Sequence, residues 1–218
     1  MTNYKQNFIS FMLDSGGLRF GDFTTKSGRK TPYFINTGQY ATGPQIAKLG
    51  SFYAAALADR LGREYDTLFG PAYKGVPLVV TASMALAAEH DHTVNFTFNR
   101  KEAKDHGEKG VFVGHPFGDG ERVVIVEDVV TAGTSVRETV PLLRSAADVT
   151  LAGLIVSVDR EEKGTGERNA LDELATTYDM PAFAIVTLSE IVAHVTEHGL
   201  VSAEILRAIA DYRARWGA

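Results

Sequence analysis

A buried strand that ends in two acidic residues is the feature that most constrains this chain. Residues 122–126 form an apolar run rich in β-branched side chains, which is typical of a strand buried on both faces in a parallel sheet. Glu127 and Asp128 follow directly, and a turn of small residues, 131–135, comes before a segment that can be helical. Open α/β sheets bind ligands in the crevice beyond the carboxyl ends of their strands. The two carboxylates are therefore predicted to lie in a binding crevice.

The turn at 131–135 adds a site for an anion. Its backbone N–H groups and hydroxyls precede a helix, and a helix N-terminus favours negative charge. Carboxylates beside such a turn fit a ligand with both hydroxyls and a phosphate, such as a ribose 5-phosphate. The same pattern also occurs as a solvated loop with a helix cap, so the motif alone leaves both interpretations open.

The composition indicates one globular domain. At 218 residues with 44% hydrophobic content, the chain is long enough to bury a core. The formal charge of −5 argues against broad nucleic-acid binding, and no apolar stretch approaches the roughly 20 residues of a membrane helix. Without cysteine there are no disulfides, which is compatible with a reducing compartment. We expect a cytoplasmic protein with no nucleic-acid or membrane partner.

Predicted strands and helices alternate along the chain. Strands are predicted at 67–69, 94–98, 151–158 and 183–187, with helices at 3–14, 44–61 and 77–89. This alternation predicts an α/β fold with a parallel sheet and right-handed crossovers. Pro141 falls inside the helix predicted after Ser135, where we expect a kink or a later helix start.

Three charged segments each allow two interpretations. The loop 70–75, Gly-Pro-Ala-Tyr-Lys-Gly, lacks the Lys-Ser/Thr ending of a Walker A loop, and it is either an ordinary turn or an anion-binding loop that uses Lys74. Residues 99–110 form either a solvated segment with weak i,i+4 ion pairs or a mobile loop that closes over a polyanion. The Glu-His-Asp-His run at 89–92 is interpreted as a solvated helix end rather than a metal site, because adjacent helical side chains diverge.

Together these motifs resemble those of the type I phosphoribosyltransferases. Residues 127–135 resemble their phosphoribosyl pyrophosphate (PRPP) motif, and the loop 70–75 resembles their pyrophosphate loop. Segments 20–30, 98–108 and 159–164 are similar to the orotate phosphoribosyltransferases within that family. The resemblance implies one domain over 1–218, in which helices flank a central parallel sheet. It also implies a small hood built mainly from about 1–40 and a mobile catalytic loop at about 100–114.

The resemblance further implies a reaction. It is the transfer of the phosphoribosyl group from PRPP to orotate, which gives orotidine 5′-monophosphate and pyrophosphate in pyrimidine biosynthesis. Mg²⁺ is implied as the cofactor, held mainly by PRPP and water rather than by a dedicated protein site. One alternative is a purine phosphoribosyltransferase, against which Arg160 and the segment of Lys26 argue. Another is a PRPP-sensing regulator of the same fold, against which the acidic total and the lack of an added module argue.

The resemblance assigns roles residue by residue. The implied catalytic residues are Lys104, Glu127, Asp128, Arg100 and His106. The implied PRPP-binding residues are Lys26, Tyr73, Lys74, Arg100, Lys101, Lys104, His106, Glu127, Asp128, Val129, Val130, Thr131, Ala132, Gly133, Thr134 and Ser135. The implied orotate-binding residues are Phe34, Ile35, Thr131 and Arg160, of which Arg160 can pair bidentately with the orotate carboxylate.

The resemblance also implies a homodimer with shared sites. Arg100, Lys104 and His106 would reach into the neighbouring subunit's site, while Lys101 would serve its own. The loop 100–114 would thus complete the neighbour's site. Two positions depart mildly from the family pattern, because relatives often have aspartate at Glu127 and an aromatic residue at Ile35. Neither departure removes a needed functional group.

Overall fold

The computed structural model describes residues 2–24, 28–104 and 110–218, and only the backbone of 102–104. Eight strands are present in this part of the chain: β1 (Leu18–Thr24), β2 (Lys30–Ile35), β3 (Thr67–Gly70), β4 (Asn95–Lys104), β5 (Gly110–Gly114), β6 (Arg122–Val126), β7 (Thr150–Asp159) and β8 (Ala182–Thr187). The helices are α1 (Asn3–Asp14), α2 (Gly43–Leu61), α3 (Gly75–His90), α4 (Thr134–Ala146), α5 (Ala170–Tyr178), α6 (Leu188–Glu197) and α7 (Ala203–Trp216), with a 3₁₀ turn at Thr37–Gln39.

A six-stranded sheet in the order β5-β4-β3-β6-β7-β8 forms the centre of the fold. All neighbouring strands are parallel except β5, which pairs antiparallel with β4 at the edge. The predicted α/β fold with a central parallel sheet is confirmed for five of the six strands. The antiparallel edge follows from chain length, because only five residues separate β4 from β5 and a parallel crossover needs a dozen or more.

The strand that precedes the acidic pair is buried on both faces, as predicted. Val124 and Val126 pack into one hydrophobic cluster with α1, α2 and α3, while Val123 and Ile125 pack into a second cluster with α4 and α5. All four side chains are fully buried. Each such burial stabilises the fold by about 1.5–3 kcal/mol, so the position of β6 and of the residues that follow it is firmly fixed.

The N-terminal segment divides between two parts of the molecule. Helix α1 packs into the main core through Phe8, Ile9 and Met12. Strands β1 and β2 instead form a separate antiparallel hairpin, which packs against α7 through Tyr33 and Tyr212. The region predicted as the hood therefore contains a hairpin at 18–35 that is tied to the C-terminal helix.

Three local expectations differ from the structure. Helix α4 begins at Thr134 with Pro141 inside it, so of the two outcomes expected at Pro141 the later start is wrong and the kink stays a prediction. Part of the predicted loop 100–114 is strand, because β4 extends to Lys104 and β5 begins at Gly110. Helix α5 was not predicted, although Asn169 caps it and acidic residues fill its first turn. No helix within the described ranges has both the length and the apolar character needed to cross a bilayer.

Candidate active site

The two acidic residues after β6 lie together in a buried crevice. Only 7% of Glu127 and 6% of Asp128 is exposed. The Glu127 carboxylate accepts hydrogen bonds from the Ser135 hydroxyl at 2.6 Å and from the Asp128 backbone N–H at 3.1 Å. Burial raises the pKa of Glu127, and the Ser135 bond opposes this rise while the charge of Asp128 adds to it. The strand end thus concentrates negative charge where water is largely excluded.

Lys74 joins the 70–75 loop to this acidic pair. Its Nζ lies 2.6 Å from Asp128 Oδ2, which also accepts a hydrogen bond from the Thr37 hydroxyl at 3.0 Å. The Lys74 side chain is 61% exposed, so it reaches the buried carboxylate from the solvent side. The structure therefore brings Lys74 next to Glu127 and Asp128, the two acids that the sequence predicted to lie in a binding crevice.

Two buried side chains hold the backbone of the acidic pair, and the sequence reasoning missed both. The Tyr53 hydroxyl donates to the Glu127 carbonyl at 2.8 Å, and the Ser157 hydroxyl donates to the Asp128 carbonyl at 2.6 Å. Tyr53 gives no sequence signal, because an aromatic residue on an amphipathic helix is ordinary core. Ser157 gives a weak one, since it is a polar residue within the apolar run of β7.

The turn after the acidic pair forms a small cavity at the start of α4. Gly133 has a φ of 73° and precedes the first helical residue, Thr134. A side chain at Gly133 would lie 3.0 Å from Leu174, so glycine suits both the backbone conformation and the packing there. The cavity has a volume of about 120 Å³ and is lined by Glu127, Val129, Val130, Thr131, Gly133, Thr134, Ser135 and Val136. An anion placed there would face the N-terminus of α4.

The 70–75 loop is tightly closed by its two glycines. A Cβ on Gly70 would lie 2.3 Å from the Gly75 carbonyl oxygen, so no larger residue fits at that position. The Ala72 backbone N–H donates to the Asn99 side chain at 2.9 Å, which ties the loop to β4. Tyr73 is 70% exposed, and the Lys101 ammonium lies 5.2 Å from the centre of its ring.

A cavity of about 420 Å³ joins three of the predicted segments. It is bounded by Ala72 of the loop, by Arg100 and Lys101 of β4, and by Ser135 of the turn. The Arg100 guanidinium donates to the Gly110 carbonyl at 3.1 Å, across the hairpin from its own strand. Cationic side chains and turn N–H groups thus border one space, as a polyanionic ligand requires.

A third cavity, of about 440 Å³, lies between β2 and the residues that follow β7. It is lined by Arg29, Thr31, Tyr33, Phe34, Thr131, Ala132, Arg160, Glu162, Lys163 and Gly164. Three of the four predicted orotate residues, Phe34, Thr131 and Arg160, are therefore together. Ile35 does not line the cavity; it packs against the hydrophobic clusters, because successive strand residues point to opposite faces.

Thr131 lines this cavity and also the small cavity at the start of α4. The two cavities therefore share one lining residue. A ligand that spans both would extend from the N-terminus of α4, past Glu127, to the space beside Arg160. A ribose phosphate joined to a base has this extended form.

The Arg160 guanidinium is already held on one edge. Its Nε and Nη2 atoms both donate to the Glu162 carboxylate, at 2.9 and 2.7 Å, and it lies 5.2 Å from the centre of the Tyr33 ring. The other edge, with Nη1, has no bonding partner among the described residues. A ligand carboxylate can therefore pair with Arg160 through that edge without displacing Glu162.

Some predicted site residues cannot be placed. Lys26 and His106 lie outside the described residues, and Lys104 is described only by its backbone at the end of β4. Their roles, and the sharing of sites between subunits, stay predictions.

Comparison with known proteins identifies relatives over the whole chain. Residues 36–189 match the family described as the phosphoribosyl transferase domain. The chain is 49% identical to the orotate phosphoribosyltransferase of Clostridium beijerinckii and 48% identical to that of Aliivibrio fischeri, in both cases over 100% of each protein. The crystal structure of the Francisella tularensis orotate phosphoribosyltransferase is 35% identical, with a TM-score of 0.86 over 97% of this chain and 100% of that one.

Proposed function

The chain belongs to the orotate phosphoribosyltransferases, which transfer the phosphoribosyl group of PRPP to orotate, and from that premise we propose how its residues divide this work. The observation that carries the residue assignments is that the two cavities share Thr131 as a lining residue, while Glu127 lines the smaller one and the buried Asp128 follows it directly in the chain. Phosphate, ribose and base then occupy successive positions along one crevice.

The ribose 5-phosphate part of PRPP would bind to the turn and the acidic pair. The N–H groups and hydroxyls of 131–135 face the 5-phosphate at the N-terminus of α4, where partial positive charge favours it. Ser135 and Glu127 bind each other in the structure at 2.6 Å. On substrate binding they exchange partners, so that Ser135 donates to the phosphate while Glu127 accepts from a ribose hydroxyl.

Lys74 would undergo a similar exchange. It neutralises Asp128 in the structure, and its exposed position lets it turn toward the pyrophosphate of PRPP. Asp128 then becomes free to accept a hydrogen bond from the second ribose hydroxyl. Arg100 and Lys101 border the cavity of about 420 Å³, and Tyr73 lies beside Lys101, so the three add donors and positive charge at the leaving group. Fixed charge at a leaving group stabilises the transition state more than the ground state.

Orotate would occupy the cavity beside Arg160. Its carboxylate pairs with the open edge of the guanidinium, and Phe34 supplies an apolar wall that stacks on Phe23 at 5.5 Å. A ring nitrogen of the base donates its electron pair to the anomeric carbon, and the electrons of the carbon–oxygen bond leave with pyrophosphate. Positive charge that develops on the sugar faces Glu127 and Asp128, which stabilise it.

Mg²⁺ belongs to the proposal, and the residues present fit a limited role in holding it. Glu127 and Asp128 offer the hard carboxylate oxygens that Mg²⁺ prefers, but no group of three or more such ligands converges within the described ranges. The ion would be held mainly by PRPP oxygens and water, with the two acids nearby. When bound, it neutralises charge on the pyrophosphate.

A cytoplasmic homodimer completes the proposal. Met84 on α3 and Phe96 on β4 are exposed apolar side chains, at 66% and 37%. Helix α3 packs on β4, so the elements that carry these two side chains are neighbours, and β4 also carries Arg100 and Lys104. A second copy that covers Met84 and Phe96 would lie against the element that carries Arg100 and Lys104, in keeping with a loop 100–114 that serves the partner subunit.

Competition between bases tests the function directly. Purified protein with PRPP and Mg²⁺ is expected to consume the ultraviolet absorbance of orotate and to leave adenine, guanine and hypoxanthine unchanged. Turnover of a purine in place of orotate, in protein shown to be folded, would contradict the assignment of the cavity beside Arg160.

A further inference from the structure

One partly buried carboxylate, that of Glu162, organises the cavity assigned to orotate. Glu162 Oε1 accepts hydrogen bonds from Arg160, from the Tyr33 hydroxyl at 2.8 Å and from the Tyr212 hydroxyl at 2.9 Å. Its Oε2 accepts a hydrogen bond from Arg29 Nη1 at 3.0 Å. These donors come from β2 and the residue before it, from the residue that follows β7, and from α7. Glu162 therefore joins three parts of the chain at the wall of one cavity.

The backbone between Arg160 and Glu162 is held in an uncommon conformation. Glu161 has a φ of 51°, which a non-glycine residue adopts only at a cost of roughly 1 kcal/mol or more. Its side chain is fixed by the Ser189 hydroxyl at 2.6 Å and by Arg213 at 3.0 Å. The Ala218 backbone N–H donates to the Glu161 carbonyl at 3.0 Å. The turn at Glu161, which brings Arg160 and Glu162 to one cavity, is thus held by contacts of Glu161 with Ser189, Arg213 and Ala218.

The arrangement restricts Arg160 in a defined way. Glu162 takes the Nε and Nη2 edge of the guanidinium, and the Tyr33 ring lies beneath its plane. Burial raises the pKa of Tyr33, so its hydroxyl keeps its proton and donates to Glu162. An arginine side chain otherwise loses considerable rotamer freedom when it binds a ligand, and a side chain that is fixed beforehand avoids that loss. The edge with Nη1 then remains available to a ligand in the cavity that Arg160 lines.

We propose that Glu162 is a positioning residue that orients Arg160 toward the carboxylate of orotate and so sets the preference for a carboxylate-bearing base. The proposal rests on the function assigned above to this cavity. Glu162 also screens the charges of Arg29 and Arg160, which donate to the same carboxylate and would otherwise repel each other. The orotate carboxylate thus binds an arginine whose side chain is already oriented and whose repulsion from Arg29 is reduced by Glu162.

A purely structural role for Glu162 gives different expectations. The contacts with Tyr33 and Tyr212 also tie the β1–β2 hairpin to α7. If this were the whole role of Glu162, its loss would lower the stability of the fold and would not act on orotate binding specifically. Glu161 provides a matched control, because it is an adjacent carboxylate that also ties this turn to α7, through Arg213. Its side chain does not line the cavity. The two variants differ in whether the lost charge contacts Arg160.

The test compares Glu162→Gln with Glu161→Gln in the full-length protein. For Glu162→Gln we expect KM for orotate to rise about ten-fold or more, since the variant replaces two charge-assisted bonds to Arg160 with weaker ones. KM for PRPP should stay within about two-fold, and kcat at saturating orotate should change little. Glu161→Gln should leave KM for orotate within about two-fold, because the Ser189 and Arg213 bonds all go to one oxygen of Glu161, and the amide oxygen of glutamine can still accept them. Equal effects of the two variants on KM for orotate would overturn the proposal.

A double-mutant cycle separates action through Arg160 from direct action. If Glu162 acts through Arg160, adding Glu162→Gln to Arg160→Ala should cause no further loss of kcat/KM for orotate. Uracil, which lacks the carboxylate, should be discriminated from orotate less strongly by Glu162→Gln than by the parent protein. The proposal would be refuted if the fold-losses of kcat/KM multiply in the double variant. An unchanged ratio of kcat/KM for orotate to kcat/KM for uracil would also refute it.

Two controls keep the outcomes distinct. Absence of orotate turnover in the parent protein would count against the proposed function, whereas parent activity with an unaltered Glu162→Gln variant would count against the inference alone. Should Glu162→Gln fail to fold, Tyr212→Phe removes one donor to Glu162 from the α7 side and retains the ring. It should raise KM for orotate about three-fold without a change for PRPP, and an unchanged KM for orotate would refute the positioning role.

Discussion

Lys74→Ala tests the exchange of partners at the acidic pair. In the structure Lys74 Nζ lies 2.6 Å from Asp128, but the lysine side chain is 61% exposed. An ion pair with so exposed a partner stabilises a fold by only about 0–1 kcal/mol. Asp128 also keeps its hydrogen bond from Thr37 in the variant. We therefore expect the melting temperature to fall by about 4 °C or less.

The effect on catalysis should be much larger. The proposed role places the Lys74 charge at the departing pyrophosphate, and loss of one fixed group that stabilises transition-state charge typically costs about 3–4 kcal/mol. We expect kcat/KM for PRPP to fall by roughly 10² to 10³-fold. Lys30→Ala is a matched control, because Lys30 is also an exposed lysine and lies 4.0 Å from Asp22, outside the site.

Two measurements on the same preparations check this reasoning. The decrease in orotate absorbance at varied PRPP gives kcat/KM, and thermal unfolding gives the melting temperature. Activity of Lys74→Ala within about three-fold of the parent would show that the 70–75 loop does not face the leaving group. A melting temperature lowered by about 10 °C, with activity lost in proportion to folded protein, would show that Lys74 is mainly structural.

Three further perturbations address the acids, the metal and the dimer. Burial raises the pKa of Glu127, so its ionisation opposes folding. Glu127→Gln should therefore melt at a higher temperature than the parent at neutral pH, and this gain in melting temperature should vanish as pH falls below the ordinary range of glutamate pKa values. A gain that persists at such low pH would contradict the assignment. Chelation of Mg²⁺ should stop turnover but leave the melting temperature of the unliganded protein unchanged; a lower melting temperature would indicate a structural metal. Mixed dimers of Lys104→Ala and Arg160→Ala should recover part of the activity that each variant lacks, and no recovery in confirmed mixed dimers would refute shared sites.

The sequence predicted the parts of the site that are local in the chain. The apolar run of β6, the acids Glu127 and Asp128, and the turn before α4 follow one another within fourteen residues, so strand burial and helix start determine their positions together. Lys74 belongs to the same site because it follows β3, and parallel strands such as β3 and β6 end at the same edge of a sheet.

The sequence did not predict contacts that depend on distant segments. Glu162 binds Tyr33 and Tyr212, which are 129 and 50 residues away, and neither tyrosine differs locally from an ordinary core residue. Ile35 was expected beside the base, but the alternation along β2 directs its side chain into the core and leaves Phe34 at the cavity. The strand predicted at 94–98 is the first half of β4, but the rest of β4 and all of β5 were missed because charged residues and glycines there resemble a loop, whereas the two strands pair at the sheet edge.

A crystal structure of the protein with orotidine 5′-monophosphate tests the central claim most directly. The crevice from the N-terminus of α4 to Arg160 should hold phosphate, ribose and base in that order. We expect the phosphate within hydrogen-bond distance of the N–H groups of 131–135, the ribose hydroxyls at Glu127 and Asp128, and the base carboxylate at the open edge of Arg160, with Glu162 still on the other edge. A phosphate bound elsewhere, or a base carboxylate away from Arg160, would contradict this account.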